Sequence, residues 1–459
     1  MNSYLHAPLA SKHMPRGIPY IIGNEAAERF SFYGMRAILV VFMTQYLMNT
    51  ANNADVMTAD EAKGWYHLFV SAVYITPLLG ALLSDGVLGK FRTIVLLSIV
   101  YTLGHFALSL DDTRIGLAIG LGLIAMGAGG IKPCVSAHVG DQFGISNCHL
   151  LPRVFGWFYF SINLGAFASS LLTPWLLKTY GASVAFGVPG VLMLLATVIF
   201  WAGRNRFVHI PPGGRQFIGE VFSKTGFNAI AKLSMLYIFV AMFWALFEQT
   251  GSAWVLQAQN MERTVFAIEL LPSQIQAANP LLVMILIPLF SYLVYPQLDK
   301  LFRLTPLRKI AIGMFLTVIA FSIAALAQEK IDQGATPHIN WQLIAYVVLT
   351  SAEVMVSITC LEFSYTQAPA RMKSFIMAFF MMSIAAGNLF TSAVNFLIQN
   401  PDGSSKLVGA EYYWFFTLAM LATSLLFLLV VRFYREKTYI HEEYRPDAAG
   451  PDDVEYRAI

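Results

Sequence analysis

The side chains of this chain that could do chemistry are charged groups set inside long apolar stretches. The first group lies between Asn24 and Gly34, where the sequence reads N-E-A-A-E-R-F-S-F-Y-G, and Arg36 follows two residues later. Further ionisable residues inside apolar runs are His67, Lys132, Glu248, Glu353 and Glu362. A charge at the centre of a membrane-spanning helix costs about 2.5–3.5 kcal/mol on insertion scales, so such residues mark substrate or ion pathways by default.

Helical spacing places the charges of the first run on one face. Arg29 and Arg36 are seven positions apart, Tyr33 lies between them, and Glu25 precedes Arg29 by one turn. A polar helix face in lipid has to look into the protein or into a water-filled cavity. We therefore expect this run to line a path through the protein.

A second polar face is formed by His67, Ser71 and Tyr74 on the next apolar run. Histidine titrates near neutral pH, and beside carboxylates in a membrane cavity it could carry a proton. A buried histidine with a purely structural role fits the same spacing. The residues leave both alternatives open.

Composition places the chain among polytopic membrane proteins. Of its 459 residues 57% are hydrophobic and 12% are charged, against about a quarter charged in soluble globular chains. The 30 basic and 27 acidic residues leave an excess too small to suggest a nucleic-acid partner. Cys134, Cys148 and Cys360 show no metal-ligand spacing, so we expect neither a metal site nor a disulfide.

Apolar runs long enough to cross a bilayer recur along the chain, because a spanning helix needs roughly 20 such residues. The expected spans number twelve, at 18–48, 63–88, 92–110, 114–143, 153–180, 183–203, 229–259, 279–298, 307–328, 340–367, 372–397 and 410–434. We expect two six-helix bundles, 1–203 and 229–434, joined by a cytoplasmic linker, 204–228, and followed by a cytoplasmic tail, 435–459. Two such halves around a midplane site are typical of secondary transporters.

The loops alternate in charge. Lys and Arg concentrate in every second loop, as in Lys300 to Lys309, whereas the intervening loops read like Asp111-Asp112. Because basic loops face the cytoplasm, both termini are expected to be cytoplasmic.

The two halves carry opposite charges in their apolar runs. Arg36 and Lys132 lie in the first half, and Glu248 and Glu353 lie in the second. A ligand with a negative and a positive end would have both charges matched between them, and opposed pairs could close the cavity until a carboxylate is protonated. The residues therefore suggest a proton-coupled carrier for zwitterions.

These stretches resemble motifs of the proton-dependent oligopeptide transporter family, a branch of the major facilitator superfamily. The first run is similar to its E-x-x-E-R-F-x-Y-Y-G motif, with Phe32 in place of the first tyrosine. Similar stretches follow in order, namely G-G-I-K-P-C, F-Y-F-S-I-N-L-G, F-W-A-L-F-E-Q-T-G-S and A-E-V-M-V-S. The stretch from Gly80 to Arg92 resembles the superfamily's loop between helices two and three.

The resemblance implies a role for each matching residue. Arg36 and Lys132 would meet a peptide's carboxylate, and Glu353 would take its amino terminus and pair with Lys132 in the empty site. Arg36 would also pair with Glu248 in an outer gate. The residues expected to shape the pocket are Tyr33, Tyr74, Tyr159, Asn163, Trp244, Asn279, Ser357 and Phe380. Those expected to carry proton coupling are Glu25, Glu28, Arg29 and His67. Asp85, Lys90 and Arg92 would brace the cytoplasmic face as gating residues.

The implied activity is symport of di- and tripeptides with protons into a bacterial cell across its inner membrane, without a cofactor and with the monomer as the expected state. The motifs are similar to those of animal di- and tripeptide transporters, but the chain lacks their large insertion after helix nine. Rival readings are a related symporter for nitrate or an amino-acid conjugate, a receptor that binds peptide without carrying it, a channel, and an intramembrane enzyme. No H-E-x-x-H or G-x-S-x-G motif supports the enzyme.

Overall fold

The computed structural model describes residues 4–8, 10–212, 224–367 and 373–433, and within these ranges the chain forms twelve long helices. Those of the first half are α1 (Ile18–Gln45), α2 (Ala59–Leu83), α3 (Lys90–Leu110), α4 (Arg114–Asp141), α5 (Leu151–Tyr180) and α6 (Ala182–Ala202). Those of the second half are α7 (Lys224–Phe247), α8 (Ala278–Leu289), α9 (Pro306–Asp332), α10 (Asn340–Glu353), α11 (Lys373–Ile398) and α12 (Ala410–Phe433).

Three helices of the second half continue beyond an interruption. A 3-10 turn, Glu248–Gly251, joins α7 to the short helix Ala253–Ala258. The π-helical turn Phe290–Val294 extends α8 into Tyr295–Leu301, and the π-helical turn Val354–Ile358 extends α10 into Thr359–Gln367. The predicted spans thus agree with the helices to within a few residues at each end.

Eleven of the described helices are long and apolar enough to cross a membrane. The exception is α1, whose 28 residues include Glu25, Glu28, Arg29 and Arg36. It nevertheless packs along α5 and α6 in the middle of the first half, with its charges buried. Its place in the bundle makes it the twelfth span, because protein rather than lipid surrounds its polar face.

Each half has its own apolar core. One cluster of buried side chains comes from α1 to α6, together with Val255, and a second comes from the helices of the other half. Residues 213–223 of the predicted linker and the whole of the predicted tail lie outside the described residues. Two short antiparallel strands, β1 (Thr264–Val265) and β2 (Ile268–Glu269), form a hairpin between α7 and α8. We call this end of the bundle the hairpin end and the opposite end, where α6 leads toward α7, the linker end.

The halves contact each other from the hairpin end to the middle of the bundle. There α2 packs along α11, and α5 packs along α8 and along the 3-10 segment Pro272–Ala277 that precedes α8. The side-chain hydrogen bonds that join described residues of opposite halves include Gln399 to Thr58 (3.0 Å), Ser392 to the Gly64 carbonyl (2.8 Å) and Ser71 to the Ala385 carbonyl (2.9 Å). Every such bond lies on the hairpin side, so the described interface is closed at that end.

Candidate functional site

A cavity of about 290 Å³ lies between the halves at the inner edge of this closed interface. Its size is close to the lower limit for small-molecule pockets. Nine of the eleven predicted substrate-binding residues line it, namely Tyr33, Arg36, Tyr74, Tyr159, Asn163, Trp244, Asn279, Glu353 and Ser357. Along α10 its wall runs from Glu353 to Leu361, toward the linker end. The cavity therefore extends away from the closed end.

The basic wall of the cavity is held by the Arg36 guanidinium on α1. Its Nη2 forms an ion pair with Glu248 of the other half, and its Nε donates a hydrogen bond of 2.6 Å to the Tyr66 hydroxyl. Guanidinium has five N–H donors in a fixed plane, so these two contacts orient it. Within the described residues no partner is recorded for Nη1, which leaves donors for a ligand.

The acidic wall is formed by Glu353 at the end of the regular part of α10. Its Oε2 accepts a hydrogen bond of 2.7 Å from Asn279 Nδ2, and the same amide group donates to the Thr350 hydroxyl at 3.2 Å. The π-helical turn begins at the next residue, Val354. Such turns are frequent at functional sites. Here the turn places Glu353 and Ser357 together on the cavity wall.

Lys132 lies elsewhere than predicted. Its ammonium sits 4.2 Å from the ring centroids of both Phe32 and Tyr74, and it does not line the cavity. The expected pair with Glu353 is absent from the described ion pairs. The physical reason is that the faces of Phe32 and Tyr74 hold the ammonium in the first half, away from the cavity wall that carries Glu353. Phe32, the departure from the family motif, thus supplies a ring face beneath a cation.

Phe380 also departs from the prediction. Its side chain is buried on α11 at 5.7 Å, centroid to centroid, from the Tyr237 ring, and it is absent from the cavity lining. The ring packs into the core of the second half because α11 presents it to α7 rather than to the gap between the halves.

The predicted coupling residues of α1 form a compact buried cluster. Arg29 Nε lies 2.7 Å from Glu25 Oε1 and 2.9 Å from Glu28 Oε2. Both carboxylates are at most 2% exposed. One cation therefore faces two anions in the interior of the first half, an arrangement in which a proton on either carboxylate would leave a neutral cluster.

His67 lies at the closed interface and away from this cluster. Its Nδ1 donates to Asn388 Oδ1 at 2.7 Å, since that oxygen only accepts, and its Nε2 lies 2.8 Å from the Ser252 hydroxyl. The ring is fully buried and joins α2 to α11 and to the segment after α7. A neutral ring accepts at Nε2, whereas a charged ring must donate there, so protonation would reverse one bond between the halves.

At the linker end one of the three predicted brace residues, Lys90, forms an ion pair, and the other two form none within the described part of the chain. Asp85 accepts a hydrogen bond from the neighbouring Ser84 hydroxyl at 3.3 Å, and Arg92 is exposed without an ion pair among the described residues. The ion pair found here joins Lys90 Nζ to Asp141 Oδ2 at 2.8 Å.

Several residues of the site escaped sequence reasoning. They are Tyr66, which binds Arg36; Gln276, which lines the cavity and donates to the Ala37 carbonyl at 3.1 Å; Ser252 and Asn388, which bind His67; and Asp141. Tyr66 adjoins His67 in sequence but lies about 100° around α2 from the His67 face, so the helical spacing did not point to it. The others come from distant parts of the chain. Among the described residues no group of three or more His, Cys, Asp or Glu could hold a metal ion.

Known proteins are similar to this chain in sequence and in fold. The model of the POT family matches residues 91–234 and 223–415. Human solute carrier family 15 member 2 is 37% identical over 403 residues, which cover 76% of this chain and 54% of that protein. This chain therefore spans about half the length of the curated relatives it matches.

Solved structures match over nearly the whole chain. The structure of an auto-inhibited POT family peptide transporter has a TM-score of 0.83 and 35% identity, and covers 94% of this chain and 99% of its own. The structure of the POT family transporter PepTSo has a TM-score of 0.81 and 36% identity. The match covers 92% of this chain and 98% of the PepTSo chain. The predicted fold of two six-helix bundles, that of the major facilitator superfamily, is confirmed. The chain belongs to the proton-dependent oligopeptide transporter family, a family of membrane transporters rather than enzymes.

Proposed function

We propose that the protein carries di- and tripeptides across the membrane together with protons, by alternating access. The observation that supports this most directly is the cavity between the halves, with Arg36 on one wall and Glu353 on the other. A peptide has a carboxylate at one end and an ammonium at the other. Charge-assisted hydrogen bonds to these two groups are stronger than hydrogen bonds between neutral groups. Membership of the family supports the same reading.

In this proposal the peptide lies across the gap between the halves. Its carboxylate meets Arg36 Nη1, and its ammonium meets the Glu353 carboxylate, with Asn279 and Ser357 beside it. The Lys132 ammonium lies against Tyr74, outside the cavity lining, and makes the electrostatic potential at the peptide carboxylate more positive. It contacts the carboxylate directly only after it moves away from the Phe32 and Tyr74 rings. The remaining lining side chains, Tyr33, Tyr74, Tyr159, Asn163 and Trp244, set the shape of the pocket.

The proton is carried by residues outside the cavity lining. Glu25, Glu28 and Arg29 form one group, and His67 forms a second group at the closed interface. Arg36 and Glu248 hold the halves together on the hairpin side, as an outer gate would. Protons are the coupling ion, and no organic cofactor takes part.

The membrane is the inner membrane of a bacterial cell, and the linker end faces the cytoplasm with both termini. The distribution of Lys and Arg among the loops supports this orientation. The conformation described above is then the inward-facing one. The working unit is the monomer, because one chain supplies both walls of the cavity.

The test is uptake of labelled di-alanine into proteoliposomes that contain the purified protein. We expect accumulation with an inward proton gradient, loss of accumulation without it, and competition by unlabelled tripeptide but not by free alanine or nitrate. Competition by nitrate would favour a symporter for another anion. Saturable binding of di-alanine without accumulation under any gradient would favour a receptor.

A further inference from the structure

A second cavity, of about 280 Å³, lies at the hairpin end and shares no lining residue with the first. Both halves contribute to it. The first half supplies the start of α2 with Thr58, Asp60 and Lys63, and the second supplies the end of the α7 segment, α9, the α11–α12 loop and the start of α12. It lies on the far side of the closed interface from the central cavity.

The cavity contains a charged pair that the proposed transport mechanism leaves unused. Lys63 Nζ lies 2.8 Å from Asp60 Oδ1, and each side chain is 9% exposed. The same ammonium lies 3.7 Å from the centroid of the Tyr412 ring, which belongs to the other half. An ammonium has three donors, and Asp60 is its one acceptor among the described residues, so donors remain for a ligand in the cavity that Lys63 lines.

The opposite wall is held rigid by a chain of hydrogen bonds. Gln257 donates to Gln328 Oε1 at 3.0 Å, Gln328 donates to Asp332 Oδ1 at 2.9 Å, and Asp332 Oδ2 accepts from the Ala410 amide at 2.7 Å. Gln257 and Gln328 line the cavity. These bonds fix the polar side chains of this wall in position.

One face of α2 connects the two cavities. Lys63 precedes His67 by four residues, and Ser71 and Tyr74 follow at the same helical spacing. Lys63 lines the second cavity, Tyr74 lines the central cavity, and His67 lies in the closed interface between the two. A ligand moving along this face would pass from Lys63 to the central site when the halves separate.

We propose that the second cavity is an entry site, in which Lys63 holds the carboxylate of an incoming di- or tripeptide before the central cavity opens to it. The cavity has the volume of the central one, a cation with free donors, and a fixed polar wall. Asp60 holds the ammonium in place, and the Tyr412 ring lies against one side of it, which leaves its remaining donors for the carboxylate. The inference rests on the proposed peptide transport.

The test uses proteoliposomes of known orientation and measures KM for di-alanine separately from each side. Lys63→Gln is expected to raise KM for entry from the hairpin side about tenfold, the effect of losing one hydrogen bond to a charged group, without changing KM from the linker side. Lys63→Arg should keep KM near the wild-type value because the cation remains. Lys178→Gln, the same change at an exposed position near the end of α5, should alter neither KM.

Removing Lys63 alone leaves Asp60 without its cation, so the pair Asp60→Asn/Lys63→Gln is measured as well, and it should show the same one-sided rise in KM. Equal effects on both sides would show that Lys63 serves only to hold the halves together, and the entry site would be rejected. An unchanged KM in all variants would reject it too. If the wild-type protein carries no di-alanine from either side, the proposed function itself fails, which is a different result.

Discussion

At the scale of single residues, Glu353 is the side chain on which peptide recognition depends most. Asn279 occupies one of its oxygens, and no partner is recorded among the described residues for the other, Oε1, on the cavity wall. Its position beside the π-helical turn Val354–Ile358 keeps the carboxylate at the gap between the halves. A peptide ammonium is the natural partner for such a group.

Glu353→Gln should abolish uptake of free dipeptides while sparing peptides with a blocked amino terminus. Truncating one partner of a buried charged pair costs about 2–5 kcal/mol, which corresponds to a loss of thirtyfold or more. Competition by free and acetylated dipeptides for labelled uptake measures the difference. Glu269→Gln, the same change at an exposed position of β2, serves as the control. Equal loss for both peptide classes would remove the amino-end role from Glu353.

His67→Gln should lower proton-driven accumulation more than gradient-free exchange of peptide. The amide can keep contacts with Asn388 and Ser252, but it cannot take up a proton. Uptake and counterflow in the same proteoliposomes give the two rates, with His149→Gln at an exposed position as the control. An equal fall in both rates would assign His67 a structural or substrate-binding role.

Residue types and helix faces could be predicted from the sequence, but partners across the halves could not. Glu25 and Arg29 meet because they lie one turn apart. Asn388 is more than 300 residues from His67, and no local pattern joins them. The predicted pair of Lys132 with Glu353 is wrong for the same reason. The Phe32 and Tyr74 rings hold the Lys132 ammonium, and no local pattern indicates that they lie closer to it than Glu353 does.

At the scale of the elements, close helix packing in the first half depends on glycine. A side chain on Gly80 of α2 would overlap the backbone carbonyl of Gly130 on α4. Packing of this kind is common in membrane helices, where small residues let backbones approach. It positions α2, and with it both cavities.

Gly80→Ala should destabilise the folded protein by about 1–3 kcal/mol, the usual cost of overpacking, because the obstacle is backbone and cannot rotate away. Gly122→Ala is the matched control, since a side chain there meets nothing within 4 Å. Thermal melting of the two variants in detergent measures the difference. Equal melting temperatures would show that α2 and α4 are not in the contact described here.

The spans could be predicted because hydropathy and length decide which segments cross the bilayer. The interruptions were not predicted. Glu248 begins a 3-10 turn and Glu353 directly precedes a π-helical one, and neither turn carries a proline of its own as a signal. The path of the backbone at these positions depends on packing between helices, which a linear pattern does not contain.

At the scale of the whole molecule, the closed hairpin end and the cavity that extends along α10 describe one state of an alternating-access cycle. A cysteine introduced at position 361 tests it, because Leu361 lines the linker side of the cavity and is 40% exposed, whereas the native Cys134 and Cys360 are buried. In a Cys148→Ser background, Leu361→Cys should react with a membrane-impermeant maleimide added from the linker side. Ser392→Cys, buried in the closed interface, should not react from either side. Labelling of both positions from the hairpin side would contradict the inward-facing state.

The central claim, that peptide and proton move together, is tested most directly by proton movement itself. Proteoliposomes loaded with a pH-sensitive dye receive external di-alanine in the absence of any imposed gradient, with a potassium ionophore present to carry compensating charge. We predict acidification of the lumen on addition of di-alanine and none on addition of alanine. Entry of labelled di-alanine without a change in internal pH would contradict the account.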